Sequence, residues 1–216
     1  VAAADAGTGA APDDAARLLR FAPARLRHRG RAVSARDVED IALQAMPALA
    51  QARCLRSATG WRLVVVARGR LPLPSRAILR ELQDLLARAL PAAIAQAHRL
   101  AIEGPTLRPF RVRATLRLRS LDVAGKVAED AKAALRRRFD SAAGGDDGQG
   151  WPLGRAPDER EIAATLVDIA DLQGIDGLRI VAADRSPWHG TLRANELAVL
   201  ADDGFDFSYA LPQAVA

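Results

Sequence analysis

The chain has 216 residues, of which 50% are hydrophobic and only 4% aromatic, and its formal net charge is +5. This length allows one or two domains with a hydrophobic core. The single cysteine, Cys54, excludes an internal disulfide and a zinc site built from several cysteines. The longest uncharged stretch, residues 41–52, contains Pro47 and is shorter than the roughly 20 residues of a membrane helix, so we expect no membrane association.

The N-terminal part is the most basic stretch of the sequence. Residues 1–16 are rich in alanine, glycine and aspartate, and residues 17–36 carry seven arginines with no acidic residue among them. We expect residues 1–33 to form a flexible arm or linker with an extended Arg-rich part. A run of this kind is typical of a solvated or interface segment, and a phosphate-binding arm is the alternative. Its candidate interface residues are Arg27, Arg29 and Arg31.

Residues 34–105 show the pattern of a first α+β subdomain. Ser34 and Asp37 have the spacing of a capping box and predict a helix over residues 35–46. Two short apolar runs, 52–55 and 63–67, predict a strand pair around the turn at residues 59–60. A strongly amphipathic helix is predicted to follow Ser75 as its N-cap, and residues 99–103 predict one more strand.

Residues 106–216 predict a second α+β subdomain. Over residues 110–119, apolar residues alternate with polar ones, which predicts a strand with one packed face and one polar face. The arginines on the polar face are further candidate interface residues: Arg111, Arg113, Arg117 and Arg119. Two amphipathic helices are predicted, one ending at Arg138 and one beginning after Asp158. Closing strands are expected at 178–182, 196–200 and 205–209. Both sheets are expected to be mainly antiparallel or mixed and packed by the helices.

A glycine-rich loop, residues 144–155, separates these two helices. Its glycines permit positive φ angles, and Trp151 with Pro152 can anchor the returning chain on the core. We therefore predict an ordered structural or interface loop. A calcium site is the less favoured alternative, because Asp146 and Asp147 are adjacent rather than alternate. The site residues are Gly144, Gly145, Gly148, Gly150, Trp151, Pro152, Gly154 and Arg155.

Residues that could support catalysis do not form a known pattern. The three histidines lie far apart, and the sequence contains no P-loop, nucleophile elbow or zinc-protease motif. Cys54 falls in an apolar strand pattern and is expected to fill core volume, although Arg53 and Arg56 could lower the pKa of a reactive thiol. We expect no enzyme activity, no metal and no cofactor. The alternative function is a nucleic-acid-binding module that uses residues 17–36 and 111–119, but the polar face of the strand lacks aromatic residues for base stacking, so nucleic acid is not the expected partner.

Two motifs resemble one family, the baseplate J-like proteins. The first runs from Arg29 to Ala42 and continues at residues 52–54, and the second is the glycine-rich loop, Gly-Gly-Asp-Asp-Gly-Gln-Gly-Trp-Pro-Leu-Gly-Arg. The turn Gly174-Ile-Asp-Gly-Leu178 agrees as well, so the resemblance covers residues 17–209. It concerns the C-terminal part of these proteins, which are usually much longer.

The resemblance implies a structural role in a contractile phage tail or a tail-like injection system. Such a wedge subunit would link the central hub and spike to the sheath and take part in the rearrangement that triggers contraction. Its implied partners are other wedge proteins, the sheath-initiating inner baseplate protein and the hub–spike complex, in a six-fold hetero-oligomeric plate. The protein would be made in the bacterial cytoplasm and become part of a particle that can be released.

Overall fold

The computed structural model describes residues 15–57, 60–92, 99–188 and 190–211. The expectation of a flexible arm over residues 1–14 lies outside these described residues. The elements up to residue 103 are α1 (Ala15–His28), α2 (Ala35–Ala45), β1 (Leu49–Ser57), β2 (Gly60–Ala67), α3 (Arg76–Ala89) and β3 (Arg99–Glu103). Those after it are β4 (Thr106–Leu118), a 3₁₀ turn (Leu121–Val123), α4 (Ala124–Arg138), α5 (Glu159–Leu166), β5 (Leu172–Ala182) and β6 (Glu196–Ala210).

The first sheet has the order β1-β2-β3, with β2 antiparallel to β1 and parallel to β3. The central strand β2 is an almost continuous apolar run, as expected for a strand that is covered on both faces. Leu63 and Val65 pack against α2 and α3, whereas Val64 and Val66 face the opposite side. Ser34 caps α2 through the predicted capping box, and the Ser75 hydroxyl caps α3.

The second sheet has the order β5-β4-β6, with β4 antiparallel to β5 and parallel to β6. The apolar residues of β4 are buried beneath α4 and α5, which confirms the predicted alternation. All three strands of this sheet are longer than the sequence predicts, and β4 begins at Thr106 rather than at residue 110. β5 already begins at Leu172, and residues 196–200 and 205–209 belong to one strand, β6, with a bulge between Leu200 and Phe205. The fold is therefore α+β with two small mixed sheets, as predicted.

The two sheets share one hydrophobic core. Val64 and Val66 of the first sheet lie in the same buried cluster as Phe110 and Trp151 of the second half of the chain. Each sheet lies on its own side of the break at Gly104 and Pro105, but the apolar side chains between the sheets are in continuous contact. The second face of the first sheet is thus buried by the second unit rather than by a helix of its own.

The expectation about the Arg-rich part of the chain, residues 17–36, is wrong in one respect. It was expected to be extended, but residues 15–28 form a helix. The physical reason is the contact of one face of this helix with α2. Ala24 and His28 lie one turn apart and are both buried, and the ring of His28 is hydrogen-bonded to the side-chain amide of Gln44 at 3.2 Å. Burial of one face outweighs the cost of Pro23 inside the helix.

Candidate interface around the glycine-rich loop

The glycine-rich loop folds back onto the C-terminal end of α4. The backbone N–H of Gly145 donates to the carbonyl of Arg138 at 2.9 Å, and the N–H groups of Gly144 and Trp151 both donate to the carbonyl of Asp140, at 3.0 and 2.8 Å. The last carbonyls of a helix have no partner within the helix. The loop supplies these partners and is therefore an ordered continuation of α4.

Gly150 is required for the closest approach in this loop. Its φ of +101° lies in the region that favours glycine. A Cβ atom at this position would lie 2.2 Å from the carbonyl oxygen of Ser141 and 2.7 Å from Nε2 of Gln51. Only a residue without a side chain lets the backbone at residue 150 approach both the backbone of Ser141 and the side chain of Gln51.

Trp151 is fully buried where the loop returns to the core. Its ring centroid lies 4.6 Å from that of Phe139, and Phe139 packs edge-to-face against Phe110 at 5.0 Å. The indole Nε1–H donates to the carbonyl of Arg155 at 2.9 Å. The ring is therefore buried without an unsatisfied donor, as a tryptophan in a protein interior requires.

Two arginines and two acids surround this ring. The guanidinium of Arg155 lies over the Trp151 ring at 4.6 Å and also binds Asp146 at 2.6 Å and Glu161 at 2.8 Å. Arg138 binds the same two carboxylates. Hydrogen bonds from Arg155 and Arg138 lower the pKa of Asp146. Glu161 of α5 thereby ties this helix to the loop and to α4.

Side chains of β1 clamp the other side of the loop. Gln51 Nε2 donates to the carbonyls of Ser141 and Trp151, both at 2.8 Å, and Gln51 Oε1 accepts from the N–H of Leu153 at 3.3 Å. Arg53 Nη1 donates to the carbonyl of Leu153 at 2.7 Å. Sequence reasoning missed both residues, because a polar residue in an edge strand carries no signal about a loop 100 positions away.

The structure brings most, but not all, of the predicted site residues together. The structure brings Gly144, Gly145, Gly150 and Trp151 together against α4 and β1, whereas Gly148 lies at the exposed tip of the loop. Pro152 accepts from the N–H of Arg155, and Gly154 donates to the carbonyl of Glu196 at the start of β6. The loop thus touches α4, α5, β1 and β6, and it is the structural joint between the two sheets.

The arginines of the outer face of β4 are matched by aspartates. Each forms an ion pair with an acid on or beside a neighbouring strand: Arg111 with Asp203 at 2.7 Å, Arg113 with Asp206 at 2.9 Å, Arg117 with Asp176 at 3.0 Å and Arg119 with Asp171 at 4.0 Å. Such cross-strand pairs stabilise a sheet modestly. They also neutralise the face, so the four cations are not free for a polyanion.

The remaining candidate arginines lie where α1 ends. Arg27 forms ion pairs with Asp37 and Asp40 of α2, which fastens α1 to α2. Arg29 and Arg31 are exposed in the turn that follows, and Arg29 has a positive φ of 49°. These two form no ion pair with the described residues and remain available at the surface.

Cys54 is half-buried in β1, and its thiol is poorly suited to nucleophilic chemistry. Burial, together with the nearby charge of Glu39, raises the pKa of the thiol to about 11. At neutral pH the sulfur is therefore protonated, in contrast to reactive cysteines. Within the described ranges no group of three metal-ligating side chains occurs, and no helix is long and apolar enough to cross a membrane.

The fold of the chain has a counterpart among solved structures, although its sequence matches no protein-family profile and no curated protein. It is similar to a chain in the cryo-EM structure of the anti-feeding prophage baseplate, 6-fold symmetrised, with a TM-score of 0.65 and 16% sequence identity. The match covers 88% of this chain and 42% of that chain. This chain thus spans less than half the length of the chain it matches, and the likeness shows that the two share a fold.

Proposed function

We propose that this protein is a structural subunit of the baseplate of a contractile phage tail or tail-like injection particle. The observation that carries the proposal is the fold shared with the anti-feeding prophage baseplate over 88% of the chain. The resemblance of the two sequence motifs to baseplate J-like proteins supports the same role and does not depend on the fold. Together they favour a wedge subunit with no enzymatic activity.

The joint at the glycine-rich loop supports this assignment physically. The buried Trp151, the Gln51 clamp and the Arg155 ion pairs fix the two sheets against each other through one loop. We propose that residues 34–105 and 106–216 act as the two subdomains of the wedge and that the loop sets their orientation.

The partners follow from the same proposal. They are other wedge proteins, the sheath-initiating inner baseplate protein and the hub–spike complex, arranged with six-fold symmetry. Arg29 and Arg31 at the end of α1 are candidate contact residues, since both are exposed and lack ion-pair partners among the described residues. The alternative of a nucleic-acid-binding module is disfavoured by the four ion pairs that neutralise the outer face of β4.

The test is genetic and structural. The coding sequence is deleted in the organism that carries it, and particles are purified after complementation with the wild-type chain. We expect a cryo-EM map to place the chain in a six-fold plate below the sheath, and we expect the deletion strain to yield no complete particles. Complete contractile particles in the deletion strain, or a map without this chain in the baseplate, would show the proposal to be wrong.

Two glycine variants provide a matched control in the same strain. Gly150→Ala disrupts the joint, whereas Gly125→Ala lies in α4 with no atom within 4 Å of the added Cβ. We expect the Gly125→Ala chain to restore particle assembly and the Gly150→Ala chain to fail. If both variants restored particle assembly equally well, assembly would not depend on the joint at the glycine-rich loop.

A further inference from the structure

A cavity in the first half of the chain lies away from the glycine-rich loop. It has a volume of about 350 Å³, opens to solvent and is formed where α1, α2 and α3 come together. Its floor is apolar, because Ile41 of α2 is buried there and Leu85 and Ala89 of α3 are half-buried. Ligand pockets of proteins have volumes of about 300 to 1,000 Å³ and mostly apolar linings. The cavity can therefore take an aliphatic side chain.

The polar groups that line this cavity are basic or neutral. Arg25 of α1 and Arg88 of α3 are both exposed at its rim, and the buried ring of His28 lies between the helices. Arg25 Nε donates to Oε1 of Gln44 at 3.3 Å, which holds this guanidinium beside the cavity. Arg88 forms no ion pair with the described residues, and none of the described lining residues is acidic. The cavity thus combines an apolar floor with a positive rim.

The turn after α1 adds two more cations to this rim. Gly30 lines the cavity, and its neighbours Arg29 and Arg31 are exposed. The turn is held in place by two hydrogen bonds of 2.9 Å, from the N–H of Gly30 to Nδ1 of His28 and from the N–H of Ala32 to the carbonyl of Ala89. The position of the rim is therefore fixed by the fold of the chain.

The acids of the neighbouring helices do not neutralise this rim. Asp37 and Asp40 of α2 are both bound by Arg27, on the other side of the turn in sequence from Arg29 and Arg31. Asp84 of α3 is exposed one turn before Arg88, but it does not line the cavity. The rim thus differs from the outer face of β4, where an acidic side chain accompanies each arginine. Negative charge at the rim has to come from a ligand.

The floor favours a polypeptide over a nucleic acid as this ligand. Both would supply anionic groups to the arginines. Proteins that bind single strands stack the bases on aromatic side chains, and no Phe, Tyr or Trp lines the described part of the cavity. A polypeptide can place an aliphatic side chain on the apolar floor and carboxylates beside the arginines at the same time.

We infer that this cavity binds a segment of a partner polypeptide in which an aliphatic side chain is flanked by acidic residues. The inference rests on the cavity and on the charges at its rim. It goes beyond the proposed baseplate role and does not depend on it, since binding in solution can succeed or fail whatever the particle experiment shows.

Synthetic peptides test this inference on the whole chain at roughly 150 mM salt, where long-range attraction between charges is largely screened. The probe is a nine-residue peptide with one leucine between two pairs of glutamates. One control peptide has serine in place of the leucine, and the other has lysines in place of the glutamates. We expect the probe to bind at least tenfold more tightly than the serine peptide and the lysine peptide not to bind. Equal binding of the probe and the serine peptide overturns the inference, because attraction between charges alone would then explain it.

Variants of the chain locate the site. Arg88→Glu should weaken binding of the probe at least tenfold. Arg137→Glu is the matched control, since Arg137 is likewise exposed in the last turn of a helix, and it should change binding less than twofold. Ala45→Phe should weaken binding at least tenfold without a change of charge, because Ala45 lines the cavity and is exposed. Equal effects of the two arginine variants, or full binding by the Ala45 variant, overturns the inference.

Two further measurements distinguish other occupants. We expect mixed-sequence DNA at the same concentration as the probe not to displace it. Replacing the three acids of residues 1–14, through Asp5→Asn, Asp13→Asn and Asp14→Asn, should leave the affinity for the probe unchanged. Displacement by DNA would favour a nucleic acid, and a tenfold gain in affinity would favour the chain's own N-terminal residues. Either result overturns the inference of a partner polypeptide.

Discussion

Gln51 and Trp151 lie one hundred positions apart in the chain, yet the side-chain amide of Gln51 donates to the carbonyl of Trp151 at 2.8 Å. The same amide group reaches Ser141 and Leu153, so one side chain of the first sheet satisfies three backbone groups of the glycine-rich loop. Backbone groups that are buried without a partner are costly. The relative position of the two sheets is therefore stabilised by hydrogen bonds as well as by apolar contact.

Replacing Gln51 by alanine should destabilise the chain by roughly 2 to 3 kcal/mol, because it leaves buried backbone groups without partners. The free energy of unfolding from urea denaturation measures the effect. Gln149→Ala is the matched control, since Gln149 is exposed in the same loop. We expect its effect to stay within about 0.5 kcal/mol, and similar losses for both variants would contradict the clamp.

Trp151→Ala should cost about 3 to 5 kcal/mol, the range for removing a large buried aromatic side chain. Trp151→Phe should cost less, since it keeps the contact with Phe139 and loses the hydrogen bond to the carbonyl of Arg155. Thermal and chemical unfolding of both variants test this order. An unchanged unfolding curve for the alanine variant would mean that the loop is not anchored by this ring.

Gly150→Ala and Gly125→Ala should have opposite effects on stability. At Gly150 the added Cβ would meet two backbone or side-chain groups closer than 3 Å and the φ is unfavourable, so we expect a loss of roughly 2 kcal/mol or more. Gly125 lies in α4 with open space around it, so alanine should stabilise by about 0.5 to 1 kcal/mol. The free energy of unfolding of the two variants measures both effects. Changes of the same sign would contradict the expectation that alanine is tolerated at position 125 and not at position 150.

The outer face of β4 should bind DNA only weakly because its arginines are paired. We expect dissociation constants no tighter than about 1 µM for mixed-sequence DNA at roughly 150 mM salt. Replacing Asp176, Asp203 and Asp206 together by asparagine frees three arginines and should strengthen DNA binding. Fluorescence anisotropy measures both. Tight binding by the wild-type chain would restore the nucleic-acid hypothesis.

Glu39 predicts a specific pH dependence of stability. Burial raises its pKa above the ordinary value of 4.5, although the Cys54 N–H favours the charged form. Between 4.5 and the raised pKa the folded state holds more protons than the unfolded state, so this contribution to stability is present at lower pH and is lost as the pH rises through that window. Glu39→Gln keeps an oxygen acceptor for Cys54 and should remove the effect.

The measurement is the difference in unfolding free energy between wild type and variant across the acidic range. Glu129→Gln serves as a control of opposite sign. The hydrogen bond and charge of Lys132 lower the pKa of Glu129, so its contribution is present above 4.5 and is lost as the pH falls through the lowered pKa. Parallel trends for the two variants would contradict the role of burial at Glu39.

The sequence by itself determined the local elements. Helical spacing and capping residues located α2 and α3, and strict alternation located β4 with its apolar and basic faces. The glycines and Trp151 also indicated an ordered loop that returns to the core. These features depend on neighbours within a few positions, where the periodicities of helix and strand are directly visible.

Only the tertiary structure decided the contacts between distant parts. It made residues 15–28 a helix, because burial against α2 outweighs the charge pattern, and it joined residues 196–210 into one strand through parallel pairing with β4. It also placed Gln51 on the glycine-rich loop and an acidic side chain beside each arginine of β4. Such pairings depend on the topology of the chain, and the residues involved carry no mark of their partners in the sequence around them.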